Sequence, residues 1–365
     1  MTLFDGRTRV TRWGIAGTGI MAEKFVRGLA DAPGATVTAV ASRTLSRAKA
    51  FAERFGIPNA HGSYEALADD RTVDLAYVAS YNTEHRPSAL ALLRGGKPIV
   101  VEKPFALDAA ETREVIAFAR EQRLFCMEGM WTRFLPAVRE LVARVGEGAV
   151  GEPRIATLEL GHPAAFDPSH RLFAPSLGGG ALLDLGVYPV SLAVLLFGAP
   201  TAVRAQASFA PSGVDEQVTA LMTHSGGRQS LVAASLRTRL SNGASISGTT
   251  GLARLHEPLY RPERLSFTHV PTLDFRYTSA KKERGKARAV IATGVRVLVD
   301  RARGVAPGLS PADRSVPFRV PGNGYQFEAI EAMRCLQAGL LESPVIPLDE
   351  TLRVAETLDA IRAAW

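Results

Sequence analysis

The chain has 365 residues, of which 46% are hydrophobic and 22% charged. That length exceeds one small domain, suggests two, and is ample for a large core. With two cysteines, no C-x-x-C pair and no His-x-His or H-E-x-x-H spacing, neither a disulfide scaffold nor a zinc site is supported. The formal charge of +7 would suit an anionic partner, so its location matters. No apolar run approaches the roughly 20 residues that span a bilayer. Residues 1–12 lack a signal-peptide core, and two unpaired cysteines suit a reducing compartment, so a cytoplasmic protein is expected.

In chain order, residues 13–129 alternate between strand and helix patterns. Strands are expected at 13–17, 35–41, 74–79, 98–101 and 124–127. Helices are expected at 20–32, 45–55, 85–93 and from Asp108 to about 122. Such alternation predicts a doubly wound α/β unit with a parallel sheet. The first turn reads Gly17-Thr18-Gly19-Ile20-Met21-Ala22, a G-x-G-x-x-A pattern between a strand and a helix. Gly17 permits the tight turn and Gly19 lets a pyrophosphate approach the backbone. The helix N-terminus then offers N–H groups to the phosphates. A tight turn without a ligand is the bland alternative.

Where an NAD-binding strand commonly ends in a carboxylate, this one ends in Ser42-Arg43, with Arg47 one turn on. A hydroxyl and a guanidinium suit a 2′-phosphate and favour NADP over NAD. The competing reading leaves both arginines as solvated surface charges. After the strand at 74–79 come Ser80, Asn82 and His85, and after 98–101 come Glu102 and Lys103. Both turns lie at carboxyl ends of parallel strands, where ligands bind in open sheets. A lysine there is expected to have a lowered pKa through desolvation and to donate to a substrate oxygen. Otherwise it is a surface lysine bound by Glu102.

The second half has strand candidates at 154–160, 202–209, 215–222, 229–236 and 244–248, which predicts a mostly antiparallel sheet. Between them, 177–197 is a glycine-rich entry followed by an apolar helix. Asp184 and Tyr188 stand four apart there and share one face if helical, although Pro189 fits a first turn better than an interior. Trp131, Arg133 and Phe166 are candidate walls of a substrate pocket. Residues 276–319 carry eleven Lys or Arg against three acids, so all other residues sum to −1. The basic character belongs to that stretch, which reads as a basic amphipathic helix over 287–302 with Gly and Pro beside it.

Together AGTGIMA (16–22), the ASR strand end (41–43), Asn82 with His85, Glu102-Lys103-Pro104, EGMWTRF (128–134), GGGALLDLGVY (178–188) and the tail from Gly324 resemble the glucose–fructose oxidoreductase, inositol dehydrogenase and MocA family. They stand nearest its dihydrodiol and NADP-linked aldose dehydrogenase branch, where Tyr replaces the His of other members at position 188. The resemblance implies an NADP-binding domain over 1–129 and a substrate and oligomerisation domain over 130–365. It implies hydride transfer between nicotinamide and a sugar, polyol or trans-dihydrodiol, with no metal. Tyr188 would then be the general acid or base, its pKa lowered by Lys103, and Asp184 would bind a substrate hydroxyl. A homo-oligomer is implied too. A non-catalytic nucleotide sensor of the same fold is the alternative. A nucleic-acid partner has no recognition motif to support it.

Overall fold

The computed structural model describes residues 10–270 and 314–365. The basic stretch therefore lies outside the described residues except for 314–319, and the helix expected over 287–302 lies wholly outside them.

The first unit runs β1 (Thr11–Ala16), α1 (Ile20–Leu29), β2 (Ala35–Ala41), α2 (Leu45–Phe55), β3 (Asn59–His61), α3 (Tyr64–Ala68), β4 (Leu75–Val78), α4 (His85–Arg94), β5 (Ile99–Glu102), α5 (Ala109–Glu121) and β6 (Cys126–Gly129). All six strands pair in parallel in the order β3-β2-β1-β4-β5-β6. Every residue of β4, β5 and β6 is buried, as expected of strands covered on both faces. Helix boundaries follow local chemistry. Asp108 caps α5 by accepting the Glu111 N–H at 2.8 Å, and Gly56 ends α2 at φ +68°. The chain order reverses between β1 and β4, which opens a crevice at the carboxyl edge of the sheet.

The second unit contains α6 (Pro136–Gly146), β7 (Pro153–Gly161), α7 (Val187–Phe197), β8 (Pro200–Phe209), β9 (Asp215–His224), β10 (Gln229–Ser235), β11 (Ala244–Gly248), β12 (Gly251–Leu255), β13 (Arg264–His269), β14 (Arg314–Pro317), α8 (Gln326–Gln337) and α9 (Leu348–Ala363). Its eight strands follow the order β14-β13-β12-β11-β7-β10-β9-β8. Neighbours are antiparallel except β7 and β10, which are parallel. The expected mixed-parallel and antiparallel α/β architecture is present.

By length and composition, segment Pro175–Phe197 is apolar enough to cross a membrane, which corrects the expectation that no apolar run approaches that length. Its most apolar 18-residue window is 83% buried inside the protein, with α7 packed on β7, β10 and α9. A helix apolar all round is what a core position demands.

The C-terminal helices join the two units. α9 packs on α5 and β6 on one side and on α7 and β8 on the other, and Asp359 accepts the Ala109 N–H at 2.9 Å. α8 packs on α1, and Asn323 donates to the Lys24 carbonyl at 2.6 Å. An aromatic column crosses the same junction. Phe25 stacks on Tyr77 with centroids 3.5 Å apart and meets Tyr325 edge-on, and Tyr325 stacks on Trp131 at 4.6 Å.

Candidate active site

The glycine turn after β1 is shaped by close approach. Gly17 has φ +128°, and a Cβ there would lie 2.4 Å from the Ala79 carbonyl oxygen at the end of β4. Only glycine fits that contact. Gly19 is the N-cap of α1 and has no side-chain cap, so the first amides of α1 face outward. A Cβ at Gly19 would meet nothing within 4 Å, and Ile20 is 72% exposed beside it. Uncapped amides, an open backbone approach and an exposed apolar side chain fit a dinucleotide pyrophosphate. Thr18 and Met21 are half-buried on the same turn.

Ser42 is buried at the end of β2, whereas Arg43 and Arg47 are exposed. Arg43 pairs with Glu84 at 3.5 Å and stands 5.9 Å over the Tyr81 ring. Asn82 donates from Nδ2 to the Gly178 carbonyl at 2.9 Å, which links the loop after β4 to the glycine run of the second unit. Gly178 has φ +71°, and a Cβ there would press on Asn82 at 2.9 Å.

Three expected contact residues do not present their side chains to the cleft. His85 is 1% exposed, with Nδ1 2.7 Å from the Pro104 carbonyl and Nε2 3.2 Å from that of Ser80. Burial lowers its pKa to about 4, so the ring is neutral and has one N–H, which donates to the nearer Pro104 carbonyl and fixes the ring against that loop. Glu102 is buried under the Lys103 turn. Its carboxylate accepts the Tyr77 hydroxyl and, at 2.9 Å, the Lys103 backbone N–H. Arg133 points away from the cleft into the interior, where it donates to Ser191 Oγ at 2.9 Å and pairs with Glu350 at 2.6 Å. Side chains that hold packing partners this closely are structural braces. Phe166 stays 37% exposed and packs edge-on against Phe173.

Lys103, Asp184 and Tyr188 converge. Lys103 Nζ donates to the Asp184 carbonyl at 2.8 Å, lies 3.6 Å from Asp184 Oδ1, and is 4.8 Å from the centre of the Tyr188 ring. A π-helical turn over Leu182–Gly186 precedes α7 and resolves the conflict that Pro189 posed for a regular helix. Such turns often mark functional sites. The Asp215 carboxylate accepts the Leu182 N–H at 2.6 Å at the start of this turn. Gly180 above it has φ +128°, and a Cβ there would collide with Asp215 Oδ1 at 2.3 Å.

Electrostatics corrects two expectations. Burial opposes the Lys103 ammonium, but Tyr188, Asp184 and Glu102 outweigh it, so its pKa is raised and not lowered. Burial also pushes the Tyr188 phenol up to about 12, against the opposing pull of Lys103. In the free protein, then, Lys103 is a cation and Tyr188 a neutral phenol. Burial disfavours the Asp184 carboxylate, yet Lys103 and Arg171 hold its pKa below the ordinary value.

Two further residues belong to the site and were not among the expected ones. Arg171 donates to Asp184 Oδ1 at 2.8 Å. Tyr260 packs within 6.3 Å of Tyr188 and 6.1 Å of Trp131, and its carbonyl accepts the Thr132 hydroxyl at 2.8 Å. Neither carries a motif: Arg171 stands in the loop 13 residues before Asp184, and Tyr260 comes from a loop remote in sequence. Behind the site, Glu102 and Glu328 are two fully buried acids whose pKa values are both raised by desolvation. Among the described residues, no group of three or more His, Cys, Asp or Glu is arranged to hold a metal.

Comparison with known proteins agrees with this geometry. Residues 11–130 match the GFO/IDH/MocA family described as an oxidoreductase family with an NAD-binding Rossmann fold, and 138–254 match its C-terminal domain. The trans-1,2-dihydrobenzene-1,2-diol dehydrogenase of Mus musculus is 36% identical over 359 residues, covering 97% of this chain and 96% of the relative. The human enzyme of that name is 34% identical over 357 residues, covering 97% and 96%. Among solved structures, a Caulobacter crescentus aldose–aldose oxidoreductase complexed with glycerol superposes with a TM-score of 0.79 at 23% identity, over 98% and 97% of the two chains. An Actinomadura kijaniata 3-ketoreductase bound to NADP and TDP-benzene gives 0.77 at 24% identity, over 98% of each. The chain belongs to the GFO/IDH/MocA family and is an NAD(P)-dependent oxidoreductase.

Proposed function

We propose that the protein uses NADP and moves a hydride between the nicotinamide and the hydroxyl-bearing carbon of a sugar, polyol or trans-dihydrodiol. The observation that carries this reading is the convergence of a buried ammonium, a phenol and a carboxylate around Lys103 Nζ, at the carboxyl edge of a dinucleotide-type sheet. We assign 1–129 to nucleotide binding and 130–365 to substrate binding.

When bound, the dinucleotide supplies the hydride acceptor or donor. The Gly17–Met21 turn would hold its pyrophosphate, with Ser80 and Asn82 beside it, and Ser42, Arg43 and Arg47 would hold a 2′-phosphate. In the oxidation direction, Tyr188 accepts the substrate hydroxyl proton at its phenolic oxygen. It then has to be a phenolate, and the Lys103 ammonium 4.8 Å from its ring stabilises that charge. In reduction the same phenol donates the proton to the carbonyl oxygen. Asp184, held ionised by two cations, accepts a hydrogen bond from a neighbouring substrate hydroxyl. Trp131, Tyr260 and Phe166 provide apolar faces suited to a sugar ring or a carbocyclic diol.

The test is fluorescence titration with NADPH and NADH, followed by a panel of aldoses, polyols and trans-dihydrodiols read at the nicotinamide absorbance. Tighter NADPH binding with turnover of at least one class is expected. NADPH binding without turnover of any class would instead identify a nucleotide sensor.

A further inference from the structure

Asp184 Oδ1 sits between two cations. Arg171 Nη1 is 2.8 Å from it, and Lys103 Nζ is 3.6 Å away. The short contact of Lys103 goes instead to the Asp184 carbonyl, at 2.8 Å. A buried ammonium beside a carboxylate gains most from the shortest ion pair, because attraction falls with distance and the interior screens it weakly. The guanidinium has taken that place here.

The two cations meet the same carboxylate oxygen but differ in exposure. The Lys103 side chain is 9% exposed and the Arg171 side chain 44%. Arg171 also rests on a fixed backbone. Its carbonyl and that of Leu172 press on Gly179, where a Cβ would lie 2.9 and 2.7 Å from them. The Gly180 N–H binds the Leu172 carbonyl at 3.0 Å. The segment that carries Arg171 is thus packed on the glycine run that leads to Asp184.

We propose that Arg171 is a positioning residue: it holds the Asp184 carboxylate from the solvent side and so keeps the Lys103 ammonium directed at Tyr188. This rests on the acid–base role of Tyr188 proposed above. The charged and titratable groups facing Tyr188 are Lys103 and Glu102 from the β5 turn, Asp184 from the π-turn, Arg171 from its loop, and Tyr260 and Tyr325 from the aromatic wall. With Arg171 present, two cations face the Asp184 and Glu102 carboxylates. Without it, Lys103 alone must serve both carboxylates, and the phenolate loses its share of that charge.

The test compares the wild type with Arg171→Gln and Arg171→Lys in two readouts. In crystals of Arg171→Gln, the Lys103 Nζ to Asp184 carboxylate distance should shorten from 3.6 Å to about 2.8 Å, the length of a charge-assisted hydrogen bond. In NADP-linked oxidation by Arg171→Gln, the rising limb of kcat/KM against pH should move up by about one unit, with kcat about tenfold lower at neutral pH. Arg171→Lys should restore most of both. An unmoved lysine, an unmoved limb, or a rise in KM alone overturns the proposal. If the wild type itself turns over no substrate, the dehydrogenase reading fails first; if it does, an unmoved limb counts against Arg171 alone.

Discussion

The indole N–H of Trp131 donates to the phenolic oxygen of Tyr188 at 3.1 Å, which ties the turn after β6 to the proposed acid–base group. The bond stabilises the phenolate and so acts against the upward shift that burial imposes on Tyr188. Trp131→Phe keeps the stacking on Tyr325 and removes only the donor. The expected outcome is a loss of about 1 kcal/mol of transition-state stabilisation, roughly fivefold in kcat/KM, with the rising limb of the oxidation profile moved to higher pH. Steady-state kinetics across pH checks it.

Lys103→Met removes the cation that faces both Asp184 and Tyr188 while keeping much of the side-chain volume. Hydride transfer should fall by about 10²–10⁴-fold. NADPH affinity, read by fluorescence, should stay within a few-fold of the wild type. Retained turnover would remove Lys103 from the chemistry.

Arg43 is exposed and bound only loosely, at 3.5 Å, to Glu84, so its guanidinium is available to a 2′-phosphate. Arg43→Ala should weaken NADPH by about 10–100-fold, the worth of a charged hydrogen-bond pair, and leave NADH little changed. Equal losses for both nucleotides would count against a 2′-phosphate site at Ser42, Arg43 and Arg47.

Glu128 and Glu328 are buried acids, and desolvation raises both pKa values, that of Glu128 to about 7. The folded protein then keeps protons that the unfolded chain releases, so stability falls as pH rises above the ordinary carboxylate range. For Glu128 the loss should run from about pH 4.5 to 7 and amount to about 3 kcal/mol. Glu128→Gln and Glu328→Gln should match the wild type near pH 5 and exceed it increasingly toward pH 8. Urea midpoints at the two pH values measure this. A gap that does not grow with pH would mean that the acids ionise at ordinary values.

The sequence by itself determined the elements that rest on local chemistry. β2 and α2 fall at the expected residues, because a β-branched run and an amphipathic pattern closed by Gly56 leave little choice. The Gly17–Met21 turn and the Asp108 cap were legible for the same reason: each depends on residue types at short spacing, whereas the grouping of Lys103 with Asp184 and Tyr188, 81 residues apart for the first two, came only from the family resemblance. β3 has three residues and exists because β2 offers it partners, so no local pattern announced it. β12, β13 and β14 passed unnoticed because short alternating stretches become strands only beside a neighbour.

Only the tertiary structure decided which way side chains point and what charge they hold. His85, Glu102 and Arg133 stand in or beside motif segments, yet packing turns all three inward. Arg171 has no motif at all, yet the fold brings it 2.8 Å from Asp184. The lysine and the tyrosine whose pKa values were expected to fall both have them raised. Desolvation and the field of distant charges set those states, and both arise only when segments remote in sequence close around the same point.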